Sequence, residues 1–394
     1  MKEFRTEVKT WLAEHCPDSM RTKGTEKDWV WGGKNAAFSH PDAKVWLENM
    51  AAKGWTCPTW PSKYGGGGLS YEESLVLKEE LRRIDARPPL LSFGADMLGP
   101  VLLEFGSEKQ KLEHLPKIVR GEIRWCQGYS EPGAGSDLAG LQTRAEEEEN
   151  HYLINGSKIW TSFAHQADWI FCLVRTNFQA PKHEGISFIL FDMTSEGVSV
   201  KPIELISGSS QFCETFFDNV RVPKSNLVGE KNEGWKIAKR LLQHERNMVA
   251  GMGSRGKSKN PEFTMENQAK IYLGDIGNKV SDARVREKIT QHKMDSQAFS
   301  LTLKRTAQEA QTNSNPSPAS SMFKYFGTEL NKRRWEITMD IIGTQGLGWA
   351  GDHFSDRELM TTREWLRSKG NSIEGGTSEV QLNIVSKRVL KLPD

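Results

Sequence analysis

The spacing of apolar residues changes twice along this chain, and those two changes constrain its fold more than any other feature. Phe4, Val8, Trp11 and Leu12 recur at i, i+4, i+7 and i+8, which lays one apolar stripe along an amphipathic helix. Ser70 with Glu73 before "SLVLKEELRRI", and Ser107 with Gln110 before "KLEHLPKIV", have the spacing of capping boxes that open helices. From Trp125 the pattern becomes a set of short β-rich runs, "YLINGSKIW", "DWIFCLVRT", "GISFILFDM", "VSVKPIEL" and "CETFFDNVRV", separated by Gly, Asn and Pro signals. After residue 234 a helical period returns in "GWKIAKRLLQHERNMVAGMG", "KIYLGDIGNKV", "REKITQHKMDSQAFSLTLKRTAQEA" and "SMFKYFGTELNKRRWEITMDIIG".

A chain of 394 residues also exceeds the size, roughly 250–300 residues, at which one core stops growing. The expectation is an α+β multidomain protein: an all-α domain over 1–124, a middle β-barrel-like domain over 125–229 and a C-terminal helical bundle over 230–394. The Pro/Ser-rich "QTNSNPSPASS", 311–321, reads as a connector, and there is no internal repeat.

Charge narrows the function. Lys and Arg total 53 against 51 Asp and Glu, so no overall field draws the protein to nucleic acid or to a membrane surface. The five cysteines, Cys16, Cys57, Cys126, Cys172 and Cys213, form no CxxC pair, which predicts reduced thiols, no structural metal and a cytoplasmic setting. "MKEFRTEVKTWLAEH" alternates charge with apolar residues where a secretory signal needs an unbroken apolar core, and no run reaches ~18 apolar residues. A small molecule or another protein is the expected partner.

Glycine, hydroxyl and carboxylate residues crowd "CQGYSEPGAGSDLAGLQTRAE", Cys126 to Glu146, just ahead of "YLINGSKIWTS". A dinucleotide fingerprint would need strand, glycine turn and helix in one βαβ unit, whereas here strand-like segments lie on both sides. The basic run "SRGKSKNPE", 254–262, reads as a solvated loop.

In order and spacing, "YSEPGAGSDLAGLQT", "NGSKIWTS", "FFDNVRVP" and "IEGGTSEVQLNIVSKRVL" resemble the signatures of acyl-CoA dehydrogenase flavoproteins over nearly the whole chain. The resemblance implies FAD as cofactor. It places Tyr129, Ser130, Gly135 and Ser136 at the flavin, Trp160 against its ring and Ser162 near N5, and it implies contributions from Thr377 and Glu379. The plainer reading of Trp160 is a core aromatic of a strand. A pyrimidine edge of alternating acceptors and an N–H donor suits backbone amides and hydroxyls, and Gly133 and Gly135 carry no Cβ to hold the backbone away. "DIIGTQGLGWAG" resembles the loop that reaches the adenine half of FAD from a neighbouring subunit, which would put Gly343 and Gln345 there and implies a homo-oligomer. Glu379 stands where family members usually carry an amide. The family's Arg-x-x-Phe-Gly element, which holds the pyrophosphate, is reduced to "SDARVREKI", where Arg284 or Arg286 would supply the cation.

The activity so implied is α,β-dehydrogenation of an acyl-CoA to the 2-enoyl-CoA, with electrons passed to an electron-transfer flavoprotein. It needs a carboxylate to take the Cα proton. The family uses two positions for it. Glu245 in "LLQHERNMVA" matches one without a gap, while in "SIEGGTSEVQ" Glu374 lies one residue early, which favours Glu245. Alternatives are a flavin-dependent monooxygenase on the same fold and a non-catalytic subunit of a hetero-oligomeric dehydrogenase.

Overall fold

In the computed structural model every residue is described except 23, 256–263, 313–319 and 394, with backbone alone for 26, 245–255, 307, 310–312 and 320. The chain forms two compact units, the first from residues 1–203 and 211–244, the second from 204–210 and 245–394.

In the first unit, helices α1 (Lys2–His15), α2 (Pro41–Ala52), α3 (Tyr71–Arg83), α4 (Gly99–Phe105) and α5 (Glu108–Val119) precede the sheet. Both expected capping boxes are present: the Ser70 and Ser107 hydroxyls accept from the Glu73 and Gln110 amides, and those side chains accept from the cap amides in return. Val8 and Leu12 of α1 are buried with Trp46, Leu47 and Met50 of α2 and Leu77 of α3, which is where the predicted stripe points. Gln110 at the start of α5 donates through Nε2 to Ser225 O and Leu227 O, both at 2.8 Å, and so ties the helices to the sheet.

The sheet contains β1 (Trp125–Gly128), β2 (Arg144–Glu147), β3 (His151–Ser162), β4 (Trp169–Arg175), β5 (Ile186–Asp192), β6 (Val198–Ile203), β7 (Phe212–Pro223) and β8 (Leu227–Val228). Its order is β6-β7-β3-β2-β4-β5-β8, with β1 parallel to β4. The five β-rich runs of the sequence are β3 to β7. Cys126, Ile154, Ile170, Cys172, Phe191, Cys213 and Val220 fill one core beneath it. All five cysteines are free and buried.

Helix α6 (Gly234–Arg255) begins in the first unit. The second unit holds α7 (Met265–Leu273), the hairpin strands β9 (Asp275–Ile276) and β10 (Lys279–Val280), α8 (Ala283–Thr312), α9 (Ser320–Ile342), α10 (Asp356–Ser368) and α11 (Ser378–Ile384). Ala269, Val285, Ile289, Ile337 and Ile341 form its core. The expected single helix over "KIYLGDIGNKV" is corrected here. It stops at Leu273, because Gly274 takes φ +79°, and Gly277 and Asn278 at φ +57° and +62° then turn a two-residue hairpin. The predicted connector at 311–321 and the basic run at 254–262 lie mainly outside the described residues. No described helix is long and apolar enough to cross a membrane, and no described cluster has the makings of a metal site.

Candidate active site

The two glycine- and hydroxyl-rich stretches meet because strand pairing brings them together and a buried ion pair fastens them. Ile159 N–H donates to Ser130 O at 2.9 Å, so the start of the first stretch lies along β3. One residue on, Glu131 and Ala134 exchange backbone hydrogen bonds at 3.1 and 3.0 Å, making a tight turn that puts Pro132 and Gly133 at its tip. Beneath the turn, the fully buried Lys158 ammonium donates to Glu131 Oε1 at 2.7 Å and to Tyr129 O at 3.1 Å. Glu131 also accepts from Gln142 N at 2.6 Å and Thr143 N at 2.8 Å. Burial works to raise the Glu131 pKa, but the Lys158 charge and these donors outweigh it and hold the carboxyl below its ordinary value. This carboxylate anchors both ends of the Pro132–Leu141 loop and the strand beside it.

Trp160 sits in the β3–β7 pairing where the register slips between Lys158 and Thr161. Its φ is +60°, a left-handed conformation rare for a bulky side chain. The bulge reverses which face each side chain takes: Thr161 is buried, while Trp160 is 53% exposed with its edge toward Phe212 at 6.2 Å. Trp160 is therefore not a core aromatic. Backbone strain and an outward-aimed indole coincide, as they do at ligand clamps.

The first unit also holds the other expected flavin residues. Ser162 ends β3, Ser130 is half-buried and Ser136 is exposed. A Cβ built on Gly133 or Gly135 would meet no atom of the chain within 4 Å, so their small size answers no packing need of the protein itself. An open glycine turn, hydroxyls beside it and an exposed indole fit a planar, hydrogen-bonding group such as the flavin. Tyr129, by contrast, is buried, edge-on to Phe171 and Phe188, and shapes the sheet under the turn.

The second unit carries the remaining expected residues. Thr377 caps α11, its hydroxyl accepting from Val380 N at 3.2 Å, and Glu379 follows in the first turn. Its own backbone amide and the Thr377 hydroxyl hold the Glu379 carboxyl below the usual range. Gly343 takes φ +55° just past the end of α9, and Gln345 is half-buried in the turn that follows. The pyrophosphate cation is less well served. Arg284 is 89% exposed and 3.6 Å from Asp282, while Arg286 turns back to donate to the carbonyls of Val280 and Ser281.

Glu374 has both carboxylate oxygens engaged, Oε2 by Arg367 Nη2 at 2.8 Å and Oε1 by Asn371 Nδ2 at 2.6 Å. Gly375 and Gly376, at φ +64° and +88°, then lead the backbone to the α11 cap. The backbone at Glu245 belongs to α6, and its side chain lies outside the described residues. The sequence reading missed the Glu131–Lys158 pair, although a signal was there: Lys158 continues the inward alternation of Tyr152 and Ile154, where a lysine needs a buried partner.

Comparison with known proteins supplies the family. Residues 1–122, 126–220 and 232–390 match, in turn, the N-terminal, middle and C-terminal domains of acyl-CoA dehydrogenases. Acyl-CoA dehydrogenase IpdE1 of Mycolicibacterium smegmatis is 34% identical, covering 100% of this chain and 98% of that protein. The Mycobacterium tuberculosis protein of the same name is 34% identical with the same coverage. Among solved structures, the Tcur3481-Tcur3483 steroid ACAD has a TM-score of 0.74 and 30% identity, covering 100% of this chain and 97% of that one. With all three domains matched and whole-length relatives at this identity, the chain belongs to the acyl-CoA dehydrogenase family, oxidoreductases that carry FAD.

Proposed function

We propose that this enzyme removes hydrogen across the Cα–Cβ bond of a bulky, steroid-derived acyl-CoA to give the 2-enoyl-CoA, with electrons leaving to an electron-transfer flavoprotein. The observation that carries the reading is the bulge that turns Trp160 outward on the strand to which the open glycine turn is fastened by the Glu131–Lys158 pair. When bound, FAD supplies the acceptor for the hydride lost from Cβ. Ser130, Ser136 and Ser162 would hold the flavin by hydrogen bonds, with Trp160 against its ring. Thr377, Glu379, Gly343 and Gln345 would complete the cofactor's surroundings.

Glu245 is the proposed base for the Cα proton. The tethering of both Glu374 oxygens supports this choice, since a carboxylate committed to Arg367 and Asn371 must give up those bonds before it accepts a proton. The steroid preference rests on the likeness, at 30% identity, to the Tcur3481-Tcur3483 steroid ACAD.

A second reading makes the chain one subunit of a hetero-oligomer. The outward Arg284 favours it, and a related structure is that of the ChsE4-ChsE5 complex from Mycobacterium tuberculosis, at TM-score 0.71 and 28% identity. Anaerobic mixing of the purified yellow protein with a panel of acyl-CoAs decides between these readings. Bleaching by steroid side-chain thioesters, faster than by straight-chain ones, is the expected result. Faster bleaching by straight-chain thioesters overturns the steroid assignment. A colourless protein that gains flavin and activity only with a second acyl-CoA dehydrogenase chain favours the second reading.

A further inference from the structure

Arg175 ends β4 with 4% of its surface exposed, and its guanidinium spends its donors on backbone carbonyls. Nε donates to Leu141 O at 3.3 Å, Nη2 to Ala139 O at 2.6 Å and to Leu141 O at 3.2 Å, and Nη1 to Lys182 O at 2.8 Å. Burial pulls its pKa below the ordinary value, while the Glu131 charge works to raise it. A neutral side chain would fill the same space without the cost of taking a cation out of water. What it would lack is a planar fork of five donors that holds several carbonyls in one geometry.

Those carbonyls belong to one clamp. Ala139 and Leu141 close the Pro132–Leu141 loop, which carries the exposed Gly135 and Ser136. Just beyond it, Thr143 gives its amide to Glu131 at 2.8 Å and accepts at its carbonyl from Arg175 N at 2.7 Å. Lys182, held through its carbonyl, sends Nζ to both oxygens of Asp137 at 2.8 and 2.9 Å, so the middle of the loop is tied back to the same arginine. Gly185 leaves room for this arrangement, since a Cβ there would lie 3.1 Å from Arg175 Nη1 and 2.0 Å from Asn177 O.

We propose that Arg175 is a positioning residue for the cofactor: through the carbonyls of Ala139, Leu141 and Lys182 it fixes the Gly135–Ser136 edge of the loop where the flavin is bound. The role rests on the reading of that loop as a flavin contact, and Arg175 itself touches no part of the cofactor's expected surroundings.

Flavin release from the diluted holoenzyme, followed by fluorescence and by the visible circular dichroism of the bound flavin, tests it in Arg175→Met, Arg175→Lys, Ser136→Leu and Val222→Ala. Val222, fully buried on β7, serves as a control for loss of stability alone. Arg175→Met is expected to hold FAD about tenfold or more weakly and to alter the dichroism, by the usual strength of charged hydrogen bonds. Arg175→Lys, which keeps the charge and some of the donors, is expected to retain more flavin than Arg175→Met. Val222→Ala is expected to lower the unfolding midpoint with FAD affinity unchanged. Natural FAD affinity in Arg175→Met, with weakened affinity in Ser136→Leu, overturns the role of Arg175 and leaves the loop at the flavin. Natural affinity in both variants removes the loop from the flavin site and the role with it. Equal losses of FAD in Arg175→Met and Val222→Ala, at equal losses of midpoint, also overturn it. If Arg175→Met does not fold, Lys182→Met decides: it unties only the exposed Asp137 pair and is expected to weaken FAD about two- to fivefold, and no change there overturns the clamp.

Discussion

Glu131 in the first unit and Glu374 in the second are both paired carboxylates within signature stretches, and they are held in different ways. Glu131 is buried against a fully buried lysine and takes two backbone amides as well. The Glu374 side chain is 40% exposed and meets Arg367, 23% exposed, and Asn371. Asn371 is braced in turn by Lys324 and Asn331. The difference teaches that the sheet face is preorganised by charge taken out of water, whereas the C-terminal signature is held by partners that water can replace. A buried charge that loses its partner cannot recover by solvation; a half-exposed one can.

The sharpest way to break that comparison is Lys158→Met, which strands Glu131 in the core. A loss of about 3–5 kcal/mol is expected, read as a lower denaturant midpoint at unchanged m, with partial recovery when Glu131→Gln is added. A loss below about 1 kcal/mol would mean that the pair is no anchor.

Next in size is a pH effect in the first unit. His114 is buried edge-on between Trp125 and Trp169, and burial lowers its pKa from 6.5 to about 4. The folded ring therefore stays neutral while the unfolded ring takes up a proton. Stability present above pH 6.5 is lost as pH falls toward 4, by roughly 3 kcal/mol in all. His114→Phe should flatten the stability–pH curve in that window, measured by chemical unfolding at a series of pH values. A curve as steep as that of the natural protein would assign the slope to other groups.

In the second unit, Gly376→Ala should cost about 1–3 kcal/mol, because φ is +88° and the new Cβ would come 2.5 Å from Gln381 Nε2. Thermal unfolding tests it, and an unchanged midpoint would show that the loop relaxes freely. Smallest of all, Arg367→Ala should cost about 1 kcal/mol or less, as expected of a partly exposed pair. Equal losses in Arg367→Ala and Lys158→Met would erase the contrast between the units.

The strands and the capping boxes were legible because each depends on short-range pattern. Two features were not. At Trp160 the strict alternation of β3 points the indole inward, and only the bulge, a property of the pairing with β7, turns it out. At Gly277–Asn278 an apolar rhythm suggested helix while the glycines carried the stronger signal, a hairpin turn with two positive φ values. Arg284 and Arg286 show a third kind of limit. Sequence supplied two candidate cations but not their directions: one braces a hairpin while the other faces solvent.

The central claim is that Glu245, and not Glu374, takes the Cα proton in a flavin-linked dehydrogenation. Anaerobic stopped-flow reduction of the bound flavin by an acyl-CoA, compared among the natural enzyme, Glu245→Gln and Glu374→Gln, tests it most directly. The account predicts that Glu245→Gln keeps its flavin and binds the thioester but loses ~10²–10⁴ in reduction rate, while Glu374→Gln loses far less. Rapid bleaching in Glu245→Gln with none in Glu374→Gln would contradict it.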